Sequence, residues 1–235
     1  WAWRLPFLLG GVFGLCAVYL RRMLQETPVF AEMQQRHALA AELPLKTVLR
    51  EHRGAIVLSM LLTWVLSAAI VVVILMTPTL LQTLYGFDAA TALKANSLAI
   101  VFLSLGCVAA GAIVDRLGAG RVLLLGGLLL GVTSWTFYSS LKLHPEWLFP
   151  LYALTGLFVG TIGAVPFVMV NAFPPVVRFS GLSFSYNVAY AIFGGLTPLV
   201  VSLLIKADPL GPAYYVAALC GLAVIIGLYL RGKGR

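Results

Sequence analysis

Charge is what this sequence has least of. Asp, Glu, Lys and Arg make up 10% of its 235 residues, where a soluble domain carries about a quarter. With 61% hydrophobic residues and a mean hydropathy of +0.99, that scarcity excludes a soluble globular domain and points to an integral membrane protein. Cysteine is also rare. Cys16, Cys107 and Cys220 lie singly in three different apolar runs, which fits neither a disulfide framework nor a metal site. His37, His52 and His144 all fall between apolar runs. There is no HExxH, no GxSxG and no pair of membrane aspartates, so an intramembrane enzyme is not expected, nor a metal or other cofactor. A net charge of +8 invites a nucleic-acid reading. The basic residues are dispersed between apolar runs, however, so the expected partner is the lipid bilayer and not nucleic acid. No signal peptide is visible, and the opening Trp1-Ala2-Trp3-Arg4 without a Met suggests a piece of a longer protein.

What is present is a series of seven apolar segments, at 4–22, 54–84, 91–114, 120–141, 147–171, 179–205 and 212–230. Each approaches or exceeds the ~20 residues that cross ~30 Å of hydrocarbon as a helix, so the fold class is all-α with about seven transmembrane helices. Pro, Gly and charged residues punctuate the junctions. The second segment is the longest, and a kink or an interfacial end is expected from Pro78 onward. Basic residues sort by junction. Arg21, Arg22, Arg36, Lys46, Arg50, Arg53, Arg116, Arg121, Arg178, Arg231, Lys233 and Arg235 fall on one side, and only Arg4, Lys94, Lys142 and Lys206 on the other. The positive-inside rule then puts the C-terminus and the loop 21–53 in the cytoplasm. Glu26, Glu32, Arg36, Glu42, Arg50 and Glu51 of that loop suit short helices on the membrane surface.

Two patterns go beyond topology. In the fifth segment Gly156, Gly160 and Ala164 recur every fourth residue beside Gly163, the small-residue spacing that lets helices approach closely in lipid. Pro166 frees a backbone carbonyl in the same segment. The stretch FPPVVRFSGLSFSYNVAYAIFGGLTP at 173–198 is the second. On an unbroken helix, Ser183, Tyr186, Asn187, Tyr190, Gly194 and Thr197 share an arc of roughly 100°. Polar groups in hydrocarbon need partners, so this stripe faces either other helices, as interhelical glue, or a water-filled cavity. Trp64, Ser67, Pro78 and Gln82 align on one face of the second segment and offer a second wall or an ordinary core. The substrate-cavity candidates are Trp64, Ser183, Tyr186, Asn187 and Tyr190. No Asp, Glu, His, Lys or Arg lies in the middle of an apolar segment, although proton carriers rely on such groups.

A further motif, GAIVDRLGAGR at 111–121, joins the third and fourth segments. Here Gly111 permits close helix approach and Asp115 places a carboxylate where helix N-termini converge. Gly118 and Gly120 permit a tight turn, while Arg116 and Arg121 anchor in an anionic leaflet. A topogenic basic loop is the plainer reading. The motif resembles the GxxxD(R/K)xGRR signature of the major facilitator superfamily, and departs from it at Ala119-Gly120, where that family usually has Gly-Arg.

Three more blocks narrow the resemblance. The stretch 173–198 resembles the eleventh helix of the metabolite:proton symporters, the group that includes proline/betaine, α-ketoglutarate, shikimate and citrate carriers. WAWRLPFLLG with LRRMLQETPVF at 20–30 is similar to that group's sixth helix and central loop, and LMTPTLLQ at 75–82 to the outer end of its seventh. The resemblance implies the C-terminal half of a major facilitator fold plus one preceding helix. Residues 1–22 would be a helix of the N-terminal half, 23–53 the cytoplasmic central loop, 54–230 a six-helix bundle and 231–235 the tail. It also implies proton-coupled symport of a small organic acid or zwitterion by alternating access in a bacterial inner membrane. The partners would be solute, protons and the missing N-terminal half, with Gly111, Asp115, Arg116, Gly118 and Arg121 as the gating motif. Alone, the chain would show no proton-coupled uptake. A membrane-embedded scaffold or sensor is the alternative; a channel lacks a filter motif.

Overall fold

Long apolar runs leave the backbone one way to satisfy its own polar groups in lipid, and helices result throughout. The computed structural model describes residues 4–23 and 44–233. Among them there is no strand. The chain divides into two units, 1–41 and 42–235. The first contains α1 (Leu5–Met23), an apolar helix ending in basic residues. The second contains α2 (Pro44–Glu51), α3 (Arg53–Tyr85), α4 (Ala89–Leu117), α5 (Ala119–Ser140), α6 (Pro145–Ala172), α7 (Arg178–Ala207) and α8 (Gly211–Lys233). Helices α3 to α8 are each long and apolar enough to cross a membrane. Most of the expected central loop, with Glu26, Glu32, Arg36 and Glu42, lies outside the described residues.

The junctions follow from local chemistry. Asp88 caps α4, its carboxylate accepting the Thr91 N–H at 2.9 Å. Gly86 closes α3 at φ 75°, and Gly118 separates α4 from α5 at φ 81°. Both angles lie in the region that glycine alone enters freely. Helix α2 is the described part of the polar loop. Its Val48 is fully buried with Ile56, Phe173 and Val177, which ties the loop's end to α3 and to the α6–α7 connection.

Between apolar helices in lipid, close packing is the main source of attraction. The pairs α4–α6 and α5–α8 make the most extensive contacts of the bundle. In the first pair the expected small-residue stripe sits in the seam. A Cβ at Gly156 would strike the Ala99 backbone, and one at Gly160 would strike the backbone of Gly106 and Cys107. Ala92, Ala95 and Ala99 continue that seam, all fully buried. Helices α4 and α7 are the least buried spans of the unit.

Candidate functional site

Three of the six spans are not continuous α-helix. Helix α3 widens into a π-turn at Ile70–Met76, α6 tightens into a 3₁₀ turn at Gly160–Gly163, and α7 widens at Tyr190–Gly194. Each break contains the residue four before a proline: Ile74 before Pro78, Ile162 before Pro166, Gly194 before Pro198. Proline has no N–H for that carbonyl and its ring crowds it, so the ladder must change pitch there. In α3 the break lies upstream of Pro78 and not from Pro78 onward, and the β-branched run Ile70 to Ile74 makes that turn a poor α-helix former.

A threonine hydroxyl bonds a carbonyl at each break. Thr77 donates to the Val72 carbonyl at 2.8 Å, Thr161 to Phe158 at 2.8 Å, and Thr197 to Phe193 at 2.6 Å. A buried polar cluster completes the first break. Because the Thr77 proton is committed to Val72, Tyr138 donates to Thr77 Oγ1 at 2.7 Å. The Tyr152 hydroxyl reaches the Val73 carbonyl at 2.7 Å and also meets the Asn96 side-chain amide. That hydroxyl has one proton to share between two acceptors, the Val73 carbonyl and Asn96 Oδ1. Tyr85 donates to the Tyr138 main-chain carbonyl at 2.7 Å. Sequence reasoning missed this cluster, because its members come from four helices and share no periodic stripe.

A second chain of hydrogen bonds joins α3, α7 and α8. Trp64 Nε1–H donates to the Tyr215 hydroxyl at 3.2 Å, which donates to Thr197 Oγ1 at 2.8 Å, which donates to the Phe193 carbonyl. The Phe193 ring stacks on Trp64 at 4.4 Å and 10°. Trp64 therefore commits its N–H to α8 and a ring face to α7.

The polar arc on α7 is divided by the π-turn. An i→i+5 turn inserts one residue, which rotates everything beyond it by about 100° relative to an unbroken helix. Thr197, past the turn, is fully buried, whereas Asn187, before it, is exposed. The same offset in α3 separates Trp64 and Ser67 from Pro78 and Gln82. Upstream of the α7 turn, Asn187 donates to the Ser183 carbonyl at 2.8 Å. Tyr186 is 37% exposed, and its ring lies 5.6 Å from that of Tyr190, tilted by 31°. Ser183 and Tyr190 are half-buried. An amide and two phenol rings thus form one partly open, uncharged face on α7.

The glycine-rich motif lies where α4 passes into α5. Gly118 makes the turn. Gly120 lies inside α5 and serves close packing instead: a Cβ there would come 2.9 Å from the Gly227 carbonyl and 3.1 Å from Arg231 Cγ on α8. Gly111 has open space around it among the described residues, so the tight approach on α4 is at Gly106 instead. Asp115, Arg116 and Arg121 are exposed. Next to this turn a cleft of about 820 Å³ opens among the ends of α3, α6 and α8, lined by His52, Gly118, Arg121, Asn171 and Arg231 among others. No group of three or more His, Cys, Asp or Glu suited to a metal occurs among the described residues.

Comparison with known proteins gives a consistent result. The profile of the Major Facilitator Superfamily matches residues 1–198. A Staphylococcus aureus (strain COL) protein named "Putative proline/betaine transporter" is 29% identical over 99% of this chain and 51% of its own length. The Klebsiella pneumoniae "Citrate-proton symporter" is 31% identical over 98% of this chain and 53% of its own. The Salmonella typhi protein of the same name is 32% identical over 98% and 54%. The chain spans about half the length of these curated relatives. No solved structure gives a significant match.

Proposed function

The chain belongs to the major facilitator superfamily, and from that membership we propose that it is the C-terminal half, with one preceding helix, of a secondary active transporter. The transporter carries a small organic acid or zwitterion together with protons by alternating access across a bacterial inner membrane. The observation that carries this reading is a match over 98–99% of the chain to proteins named as transporters and symporters, none of them as an enzyme. In this reading α1 belongs to the N-terminal half and residues 23–53 connect the halves. The remaining helices form the six-helix C-terminal bundle, with its basic end and the C-terminus in the cytoplasm.

The uncharged face of Ser183, Tyr186, Asn187 and Tyr190 on α7, with Trp64 of α3 behind it, is then one wall of the translocation path. It supplies rings and an amide for solute but no ionisable group, so proton coupling and the charges that hold a carboxylate come from the N-terminal half. Gly111, Asp115, Arg116, Gly118 and Arg121 form the gate at the cytoplasmic end. Asp115 acts on the conformational equilibrium and not on solute.

The test is uptake into proteoliposomes containing the full-length natural protein under an inward proton gradient, with labelled citrate, proline and betaine. Saturable accumulation of one of these, abolished by a protonophore, is the expected result. Equal uptake of all three with and without the gradient would refute coupled symport.

A further inference from the structure

We propose that the cleft at the Gly118 end of the bundle is a binding site for a phosphate-bearing anion, with Arg121 and Arg231 as its two cationic arms. The cleft, about 820 Å³, falls in the size range of sites that hold small ligands. Its lining comes from four separate places: the residues leading into α3, the α4–α5 turn, the end of α6 and the end of α8. It is a recess between helices, unlike the charged face of a single helix.

Charge gives the site its sign. Arg121, Arg231 and His52 share the lining with one carboxylate, Glu51. Among the described residues neither guanidinium meets a carboxylate at ion-pair distance. Two like charges in one recess at a membrane edge repel each other, and an anion between them relieves that repulsion. The backbone enforces the arrangement. The absence of a side chain at Gly120 lets the stem of Arg231 lie against the start of α5, whose next residue is Arg121.

The donor set selects phosphate. Guanidinium forks match phosphate oxygens in pairs, and the Asn171 amide on the lining, with one N–H on the Phe167 carbonyl, has a second N–H to offer. No side chain caps the start of α5; the Gly118 carbonyl takes the Arg121 and Val122 N–H groups, so the first turn of this 22-residue helix adds the N–H groups of Ala119 and Gly120 and a positive helix end. A lipid headgroup and free inorganic phosphate offer the same chemistry. Basic recesses between helix ends at an anionic leaflet are suited to the former.

The experiment measures binding to the full-length natural protein in detergent and does not depend on transport. Phosphatidylglycerol and phosphatidylcholine of matched chains are compared by native mass spectrometry. Wild-type protein should retain phosphatidylglycerol preferentially. R121Q and R231Q should each weaken that retention about fivefold, the effect of one basic residue near a charged leaflet. K142Q, at the opposite end of α5, should leave it unchanged. Sodium phosphate alone forms the second arm, read as a rise in unfolding temperature. A rise in wild type that R121Q/R231Q lacks identifies a free-anion site, and lipid retention without such a rise identifies a headgroup site. Equal retention by wild type and the arginine variants, or equal weakening by K142Q, overturns the proposal. If the arginine variants do not fold, a photoactivatable phosphatidylglycerol headgroup on wild type decides. Cross-links at 118–121 and 229–231 support the site, and cross-links confined elsewhere refute it.

Discussion

Gly160→Ala adds a single methyl group to α6, and the structure indicates where that methyl would go. The new Cβ would fall 2.5 Å from the Gly106 Cα and the Cys107 N of α4, and the three atoms nearest to it are all backbone. Carbon atoms pack at about 3.5–4.0 Å, so the two helix axes must part by roughly 1 Å. A flexible side chain could swing away; these backbone atoms cannot. Parting the axes loosens the seam on both sides, where Ala99, Gly156 and Ala110 are buried, and a gap of ~1 Å forfeits up to about half of each contact's attraction. Overpacking of this kind costs about 1–3 kcal/mol. The gain in helix propensity from Gly to Ala is at most about 1 kcal/mol. A net loss of about 1–2 kcal/mol should result. Gly221 of α8 is the control, because a Cβ there meets nothing within 4 Å, and Gly221→Ala should be neutral or slightly stabilising. The assay is reversible unfolding of the full-length protein in mixed micelles at increasing dodecyl sulfate fraction. If Gly160→Ala unfolds at the same fraction as Gly221→Ala, the close α4–α6 approach is wrong.

Other expectations follow from individual contacts. Tyr152→Phe strands the buried Val73 carbonyl and the Asn96 amide, and should cost about 1–3 kcal/mol in the same assay, while Tyr214→Phe, at an exposed hydroxyl, should cost far less. Asn187→Ala should weaken solute affinity by about 1–3 kcal/mol if the amide touches solute; unchanged affinity with lower stability would make it interhelical glue. The Thr91 side chain and N–H hold the Asp88 carboxyl below its ordinary value of 3.8. A depressed folded value means the cap stabilises above the ordinary pKa and is lost as the pH falls through the folded one. Asp88→Asn should therefore flatten the acid limb of an unfolding-against-pH curve measured between pH 5 and pH 2, and an unchanged limb would show that the cap contributes nothing.

The spans were legible because hydropathy alone decides them: the six helices of the bundle begin and end within a few residues of the apolar runs. Gly156 and Gly160 were legible for a related reason, since small residues every fourth position have one obvious use in lipid. The tyrosine cluster was not, because Tyr85, Tyr138 and Tyr152 lie in three different helices and only their fold brings the hydroxyls together. The arc on α7 was read as unbroken, and Pro198 was the signal that it is not. Gly111 and Gly120 show the same limit in another form. A glycine in the sequence declares space, but not which neighbour uses it.

The three prolines divide the bundle mechanically. Helices α4, α5 and α8 carry unbroken ladders and resist bending as struts, whereas α3, α6 and α7 each consist of two rods meeting at a compliant joint. Elastic strain applied at one end of the bundle would concentrate at those joints and not spread along whole helices. Thr77, Thr161 and Thr197 stand at those joints, each placing one hydroxyl on a carbonyl of the break beside it. Stiffness in this fold is therefore set by a few hydrogen bonds at three places, and removing one of those hydroxyls should soften a single helix while leaving its neighbours rigid.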